Sequence, residues 1–153
     1  MTTKKHNHLA VHDEHEKIFQ KSDIANIASQ ILHTHPDVQV ITLQGTLGAG
    51  KTTLAIELLR QSGVIGETQS PTYTYLQAYK NSDGKTFYHF DLYRLEDKNA
   101  FLFAGFDEFL YQPNSLVIIE WPEIAESLLE QNVCSIELGY HDEMTRTIKW
   151  YYK

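Results

Sequence analysis

The chain carries the sequence LQGTLGAGKTT from Leu43 to Thr53. Between Gly45 and Thr52 it reads as a glycine, four further residues and then Gly-Lys-Thr, which is the pattern of a phosphate-binding loop. Glycines allow the backbone of such a loop to curl, so that successive amides point at phosphate oxygens. A helix directly after the loop adds its positive N-terminal end. The stretch therefore predicts a main-chain cradle for an anion.

The segments on either side of this loop have the periodicity of a strand and a helix. Val38–Leu43 is short and rich in β-branched residues, which predicts a strand. Thr52–Gln61 has apolar residues at helical spacing and is followed by Gly63, where a C-terminal cap is expected. The alternative to a phosphate site is an ordinary glycine-rich turn with an exposed lysine. The order strand, loop, helix favours the phosphate site.

Individual loop residues have predicted roles. Lys51 would bring a positive charge to the β- and γ-phosphates, and the Thr52 hydroxyl is a predicted magnesium ligand. The chain has no Asn-Lys-x-Asp or Thr-Lys-x-Asp segment of the kind that reads guanine. We therefore expect ATP and Mg²⁺ as cofactors. The loop residues predicted to contact the nucleotide are Gly48, Ala49, Gly50, Lys51, Thr52 and Thr53.

Two carboxylates lie where a site of this kind needs them. Glu120 follows the wholly apolar run Leu116–Ile119, and a carboxylate buried there would require a compensating cation such as Mg²⁺. Asp91 lies within the run Phe87–Tyr93 and is predicted to bind the metal or to orient the attacking water. Lys51, Asp91 and Glu120 are thus the predicted catalytic residues, with Thr52 and Glu120 as metal ligands. Alternatively, either acid pairs with a lysine or arginine at a solvated strand end.

The remaining patterns predict one domain. We expect a three-layer α/β fold with a mixed, mostly parallel sheet of the P-loop type and an antiparallel extension. Residues 1–15 are polar and are expected to form a flexible tail, in which His6, His8, His12 and His15 have no fixed metal-binding geometry. The other predicted elements are a helix from Asp23 to about His33, an antiparallel hairpin of Tyr73–Tyr79 and Thr86–Tyr93, a helical segment around 102–110, and strands at Leu116–Ile119, Val133–Leu138 and Thr145–Tyr152.

Composition excludes several classes of function. The 153 residues suffice for one compact domain, and 20 acidic against 13 basic residues give a net charge of −7. This charge opposes unaided binding of nucleic acid. The chain has one cysteine, so no intrachain disulfide can form, and it has no run of apolar residues long enough for a membrane span. We expect a cytoplasmic protein.

Four segments together resemble the TsaE family, also called YjeE, of small bacterial P-loop ATPases. They agree with the family in order and separation, and the similarity extends from about Ser22 to Trp150. The resemblance implies ATP binding, slow hydrolysis and a role in threonylcarbamoyl modification of the adenosine beside the anticodon, in tRNAs that read codons beginning with A. It implies TsaD and TsaB as partner proteins. The tRNA would then be held mainly by these partners and not by this chain. The segments are Leu43–Thr53 (LQGTLGAGKTT), Ser70–Thr74 (SPTYT), Tyr88–Leu95 (YHFDLYRL) and Ile119–Glu123 (IEWPE).

The same resemblance implies roles for residues outside the loop. Thr72 and Thr74 would belong to a switch-like segment that responds to the γ-phosphate. Trp121 would contact a partner, although core packing explains a tryptophan at this position equally well. Adenine contacts are implied near Ser22 and Met144. The chain departs from the family at Thr46, where an acidic residue is usual.

Two other functions use the same loop. A small-molecule kinase would close a lid, usually with several arginines, over a second substrate. The arginines of this chain are Arg60, Arg94 and Arg146, which makes a kinase less favoured. The other alternative is a nucleotide-dependent binding module, in which occupancy of the site matters more than turnover.

Overall fold

A computed structural model describes residues 12–71 and 74–153. In this part of the chain seven strands form one sheet, in the order β1-β7-β6-β2-β5-β4-β3. The strands are β1 (His12–Gln20), β2 (Val40–Gln44), β3 (Leu76–Lys80), β4 (Thr86–Asp91), β5 (Ser115–Glu120), β6 (Val133–Tyr140) and β7 (Thr145–Tyr152). The α-helices are α1 (Ile24–Thr34), α2 (Lys51–Gln61) and α3 (Lys98–Phe103), and 3-10 helices occur at Lys21–Asp23, Phe106–Phe109, Pro122–Ile124 and Glu126–Leu128.

The centre of the sheet is parallel and both sides are antiparallel. Strands β6, β2, β5 and β4 pair in parallel. β7 and β1 add antiparallel strands on one side, and β3 forms the predicted antiparallel hairpin with β4 on the other. The predicted α/β class, with a mixed sheet and an antiparallel extension, is confirmed.

The sheet separates two apolar cores. Along β5, Ile118 belongs to the core shared with α1 and α2, whereas Val117 and Ile119 belong to a core shared with α3. This division follows from the alternation of side chains along a strand. On the first face α2 contributes Leu58, which is fully buried, and burial of such a side chain stabilises the fold by about 2 kcal/mol. The arrangement is the expected three-layer one.

The helical segment expected around 102–110 is divided in the structure. α3 begins after Asp97, whose Oδ1 accepts a hydrogen bond of 2.8 Å from the Ala100 amide. It ends before Gly105, which takes a left-handed conformation with a φ of 76°. The chain continues as the 3-10 helix Phe106–Phe109. Apolar periodicity continues through this break, because Phe101 of α3 and Phe106 and Phe109 of the 3-10 helix pack against the same core.

The N-terminal expectation needs a correction. The flexible tail was expected to reach His15, but β1 begins at His12 and pairs with β7. The His15 ring stacks on the Trp150 ring with their centroids 4.9 Å apart. β1 lies at the edge of the sheet, so most of its side chains are exposed and it lacks an apolar pattern. Residues 1–11, with His6 and His8, lie outside the described part of the chain.

No helix within residues 12–71 and 74–153 has the length and apolar character needed to cross a membrane.

Candidate functional site

The site lies at the carboxyl ends of three neighbouring parallel strands. β2 leads into the glycine loop, and α2 begins directly after it at Lys51. β4 ends at Asp91 and β5 ends at Glu120, and these two residues are register partners. Leu43 of β2 is the register partner of Glu120 on the other side. The topology therefore brings the loop and both predicted acids to one edge of the sheet, where ligands of open α/β sheets bind.

The loop glycines are required for two different reasons. A Cβ atom on Gly45 would lie 2.4 Å from the carbonyl oxygen of Leu138, so this position admits no side chain. Gly48 and Gly50 have φ angles of 78° and 102°, which L-residues with side chains rarely adopt. No atom lies within 4 Å of a Cβ built on either of them. At these two positions the requirement for glycine is therefore conformational and not steric.

Lys51 is held inside the loop. It is only 6% exposed, and its Nζ donates hydrogen bonds of 2.6 Å to the carbonyl oxygen of Gly45 and 2.9 Å to that of Thr46. The ammonium also lies 4.1 Å from the centroid of the Trp121 ring. Burial lowers the pKa of Lys51, and the nearby carboxylates, chiefly that of Glu120, oppose this shift. The positive charge is thus partly removed from water and held at the loop.

Glu120 is buried and has two hydrogen-bond partners. It is 2% exposed, and its Oε1 accepts a hydrogen bond of 2.7 Å from the Thr52 hydroxyl. Its Oε2 lies 2.7 Å from Nε2 of His89. The alternative of a solvated strand-end pair with lysine or arginine does not describe this carboxylate. His89 was not predicted, although its spacing of two residues from Asp91 in β4 places both on one face of the sheet.

Asp91 faces the same cavity. It is buried at the end of β4, and its Oδ1 accepts a hydrogen bond of 3.1 Å from the Tyr93 amide. The cavity beside the loop has a volume of about 540 Å³, and Lys51 and Glu120 also line it. The structure therefore brings the three predicted catalytic residues together. The other lining residues are Leu47, Gly48, Gly50, Thr52, Thr53, Tyr93, Arg94 and Trp121.

A second cavity of about 300 Å³ adjoins the loop and shares Gly48, Gly50 and Thr53 with the first. Met144, for which the resemblance implies an adenine contact, lines this cavity. Ser22 is exposed and is not among its lining residues, which include the neighbouring Lys21 and Ile24 instead. The remaining walls come from Phe19, Ala49, Glu143 and Arg146.

The predicted switch and partner residues have different placements. Thr72 lies outside the described residues. Thr74 is exposed, lines neither cavity, and donates a hydrogen bond of 3.2 Å to the carbonyl oxygen of Leu76. Trp121 is half-buried, and its ring lies 4.7 Å from the Tyr93 ring. Its φ of 56° is unusual for a bulky residue and places the indole beside Lys51.

The oxygen atoms at the loop suit magnesium. The Thr52 hydroxyl and the Glu120 carboxylate are hard oxygen donors 2.7 Å apart. Mg²⁺ is usually bound through one or two protein carboxylates or hydroxyls, together with water and substrate phosphates. Within the described residues, no group of three or more His, Cys, Asp or Glu side chains could hold a metal by itself. The residues present therefore fit a magnesium ion that arrives with a nucleotide.

A parallel-centred sheet, a glycine loop between β2 and α2, and a carboxylate at the end of the adjacent strand define an α/β protein of the P-loop class. The family model described as "Threonylcarbamoyl adenosine biosynthesis protein TsaE" matches residues 18–148. The chain belongs to the TsaE family, as its motifs predicted.

Individual proteins agree with this assignment. The tRNA threonylcarbamoyladenosine biosynthesis protein TsaE of Haemophilus influenzae is 40% identical over 112 residues, which cover 73% of this chain and 69% of that protein. The protein of the same name from Rickettsia prowazekii is 32% identical over 127 residues, covering 82% and 86%. The crystal structure of Bacillus subtilis YdiB superposes with a TM-score of 0.69 at 25% identity, covering 94% of this chain and 88% of that one.

Proposed function

We propose that this chain binds ATP with Mg²⁺, hydrolyses it slowly, and supports threonylcarbamoyl modification of the adenosine beside the anticodon in tRNAs that read codons beginning with A. One observation carries the proposal. The Thr52 hydroxyl contacts the buried Glu120 carboxylate at the mouth of the glycine loop. This contact joins the glycine loop to the carboxylate at the end of β5. The family to which the chain belongs is described as a threonylcarbamoyl adenosine biosynthesis protein.

Binding would use the loop and Lys51. The backbone amides of the loop and the N-terminus of α2 provide donors for phosphate oxygens. Lys51 now donates to two loop carbonyl oxygens, and a phosphate is a stronger acceptor because it carries negative charge. The partly desolvated ammonium would therefore exchange neutral partners for a charged one. We expect this exchange to supply much of the affinity for the triphosphate.

Thr52 and Glu120 would hold the metal. When bound, Mg²⁺ neutralises charge that develops on the phosphate oxygens. The Glu120 carboxylate is buried at the carboxyl end of β5, and a buried carboxylate is stabilised by a nearby cation. Lys51, which lines the same cavity, provides one such cation.

Asp91 would act on the water molecule or on the metal. It faces the cavity that also contains Lys51 and Thr52, and the Tyr93 amide fixes one of its carboxylate oxygens. A carboxylate held in this way can orient an attacking water molecule or add a ligand to the metal. Both roles predict loss of hydrolysis when the carboxylate is removed.

The second cavity would accept the adenine base. Phe19, Ile24 and Met144 provide apolar surface there, and the cavity adjoins the loop through Gly48 and Gly50. Such a pocket suits a flat base whose phosphates lie on the loop. Met144 is the predicted contact that lines this cavity, and Ser22 is not required.

The proposed partners are TsaD and TsaB, which would hold the tRNA. The net charge of −7 favours tRNA binding by the partners, because a negatively charged protein has little electrostatic attraction to the phosphates of nucleic acid. Arg94 lines the loop cavity and Arg146 the second one. A partner can accelerate hydrolysis by adding a further positive charge or by ordering loops at the site.

The test is release of inorganic phosphate from ATP by the purified chain, with Mg²⁺ and without any acceptor molecule. We expect slow release that stops in EDTA. Phosphate transfer that occurs only after a small-molecule acceptor is added would contradict the proposal and identify a kinase.

A further inference from the structure

His89 is a buried polar residue to which the sequence motifs gave no function. It lies on β4, two residues before Asp91, and its exposure is 0%. Its Nε2 is 2.7 Å from Oε2 of Glu120. The two residues lie on adjacent parallel strands and on the same face of the sheet, because His89 is the register partner of Ile118, two residues before Glu120. The contact is therefore a consequence of strand register.

The Glu120 carboxylate is held at both oxygens. Thr52 donates to Oε1, and His89 faces Oε2. With a partner on one oxygen only, a carboxylate at the end of a flexible side chain can rotate away from that partner. Hydrogen bonds from surrounding residues orient metal-binding carboxylates in the same way as they orient metal-binding histidines. His89 thus fixes the direction in which Oε1 points.

The unpartnered ring nitrogen identifies the tautomer. A hydrogen bond to the carboxylate requires the proton on Nε2, since a carboxylate only accepts. Nδ1 is buried and has no hydrogen-bond partner among the described residues. A proton on Nδ1 would be a buried donor without an acceptor, which is costly. Nε2 is therefore the nitrogen that donates to the carboxylate, and this hydrogen bond orients Glu120.

We propose that His89 is a positioning residue that fixes the Glu120 carboxylate against Thr52 and so prepares the magnesium site before the nucleotide binds. This inference rests on the proposed role of Thr52 and Glu120 as magnesium ligands. The competing explanation is that His89 only fills space in the core beside α2. That explanation predicts that the effect of Mg²⁺ on ATP affinity does not depend on whether residue 89 has a hydrogen-bond donor.

Two substitutions separate these explanations. His89→Gln keeps an N–H donor at a similar distance from the backbone, whereas His89→Met has a similar size and no donor. Calorimetry measures ATP affinity of each protein with Mg²⁺ and with EDTA. We expect the gain in affinity from Mg²⁺ to fall by roughly 10-fold or more in His89→Met and to be largely kept in His89→Gln. Affinity in EDTA should be similar in all three proteins.

A second measurement uses the wild-type protein without nucleotide or metal. Long-range ¹H–¹⁵N NMR correlations of the histidine rings distinguish the two neutral tautomers, and we expect His89 to carry its proton on Nε2. This result supports the inference even if His89→Met fails to fold. A ring without a proton on Nε2 would overturn it.

The outcomes also separate this inference from the proposed function. If Mg²⁺ strengthens ATP binding to the wild type and to His89→Met equally, the positioning role is overturned and the magnesium site stands. If Mg²⁺ has no effect on the wild type, both the magnesium site and the positioning role are overturned.

Discussion

The Thr52 hydroxyl donates a hydrogen bond of 2.7 Å to Oε1 of Glu120, although the two residues are 68 positions apart in the chain. The contact connects the first turn of α2 to the end of β5 and is the point at which the glycine loop meets the acidic edge of the sheet. A metal ion bound by both residues would be fixed relative to the loop. The predictions below test the groups around this contact.

Replacement of Lys51 by alanine should weaken ATP binding by roughly 10- to 100-fold, the range expected when a charge-assisted hydrogen bond is lost. The fold should remain intact, because Lys51 is directed at two loop carbonyl oxygens and does not belong to the apolar core. Calorimetry gives the affinity and thermal unfolding gives the stability. Lys80→Ala, an exposed lysine on β3, is the matched control and should bind ATP normally. Unchanged ATP affinity in a folded Lys51→Ala protein would contradict the assignment of the loop.

The substitutions Glu120→Ala and Asp91→Ala should reduce the rate of hydrolysis much more than they reduce nucleotide affinity. The loop amides that contact phosphate are retained, whereas placement of the metal or the water molecule is lost. We expect kcat to fall by about 100-fold or more and the Kd for ATP in EDTA to change by less than about 3-fold. Asp83→Ala, in an exposed turn, serves as the control. Normal hydrolysis by both mutants would mean that the two acids have only a structural role.

Truncation of Met144 to alanine should weaken ATP binding by roughly 5-fold, because about 1 kcal/mol of apolar contact with the base is lost. Ser22→Ala should bind ATP like the wild type, since Ser22 does not line the second cavity. Competition with a fluorescent ATP analogue measures both affinities. If Ser22→Ala bound ATP more weakly than Met144→Ala did, the adenine base would not lie in the second cavity.

Cys134 should resist alkylation in the native protein. The thiol is fully buried, and burial raises its pKa from 9.0 to about 12, so almost no reactive thiolate forms at pH 8. Iodoacetamide should label the chain only after unfolding in guanidinium chloride, which mass spectrometry detects. Between pH 9 and pH 12 the unfolded chain loses the thiol proton and the folded chain keeps it, so this group makes the protein less stable as pH rises. Rapid labelling of the folded protein would show that β6 is accessible.

Much of the site was predictable because its signals are local. The glycine loop is a contiguous pattern, and Glu120 directly follows a wholly apolar run, so both positions could be proposed as site residues without knowledge of strand order. His89 was missed because its partner is 31 residues away and the contact depends on the register of β4 and β5. Sequence periodicity does not report that register.

The second cavity and β1 were not predicted because each is formed by contacts between segments that are distant in the sequence. The second cavity combines Phe19 before α1, Ala49 in the loop and Met144 in the turn between β6 and β7. No single stretch of sequence contains it. β1 was missed because an edge strand exposes most of its side chains and needs only a few apolar ones, such as Phe19, to pack against the core.

The central claim is that this chain is a slow ATPase whose partners in tRNA modification accelerate it. Its most direct test is phosphate release at saturating ATP and Mg²⁺, measured for the purified chain alone and after addition of TsaD and TsaB. We expect slow turnover by the chain alone and acceleration by the partner proteins. The Lys51→Ala protein is the control and should show no phosphate release above background, either alone or with TsaD and TsaB. Fast turnover by the chain alone, with no change when TsaD and TsaB are added, would contradict the account.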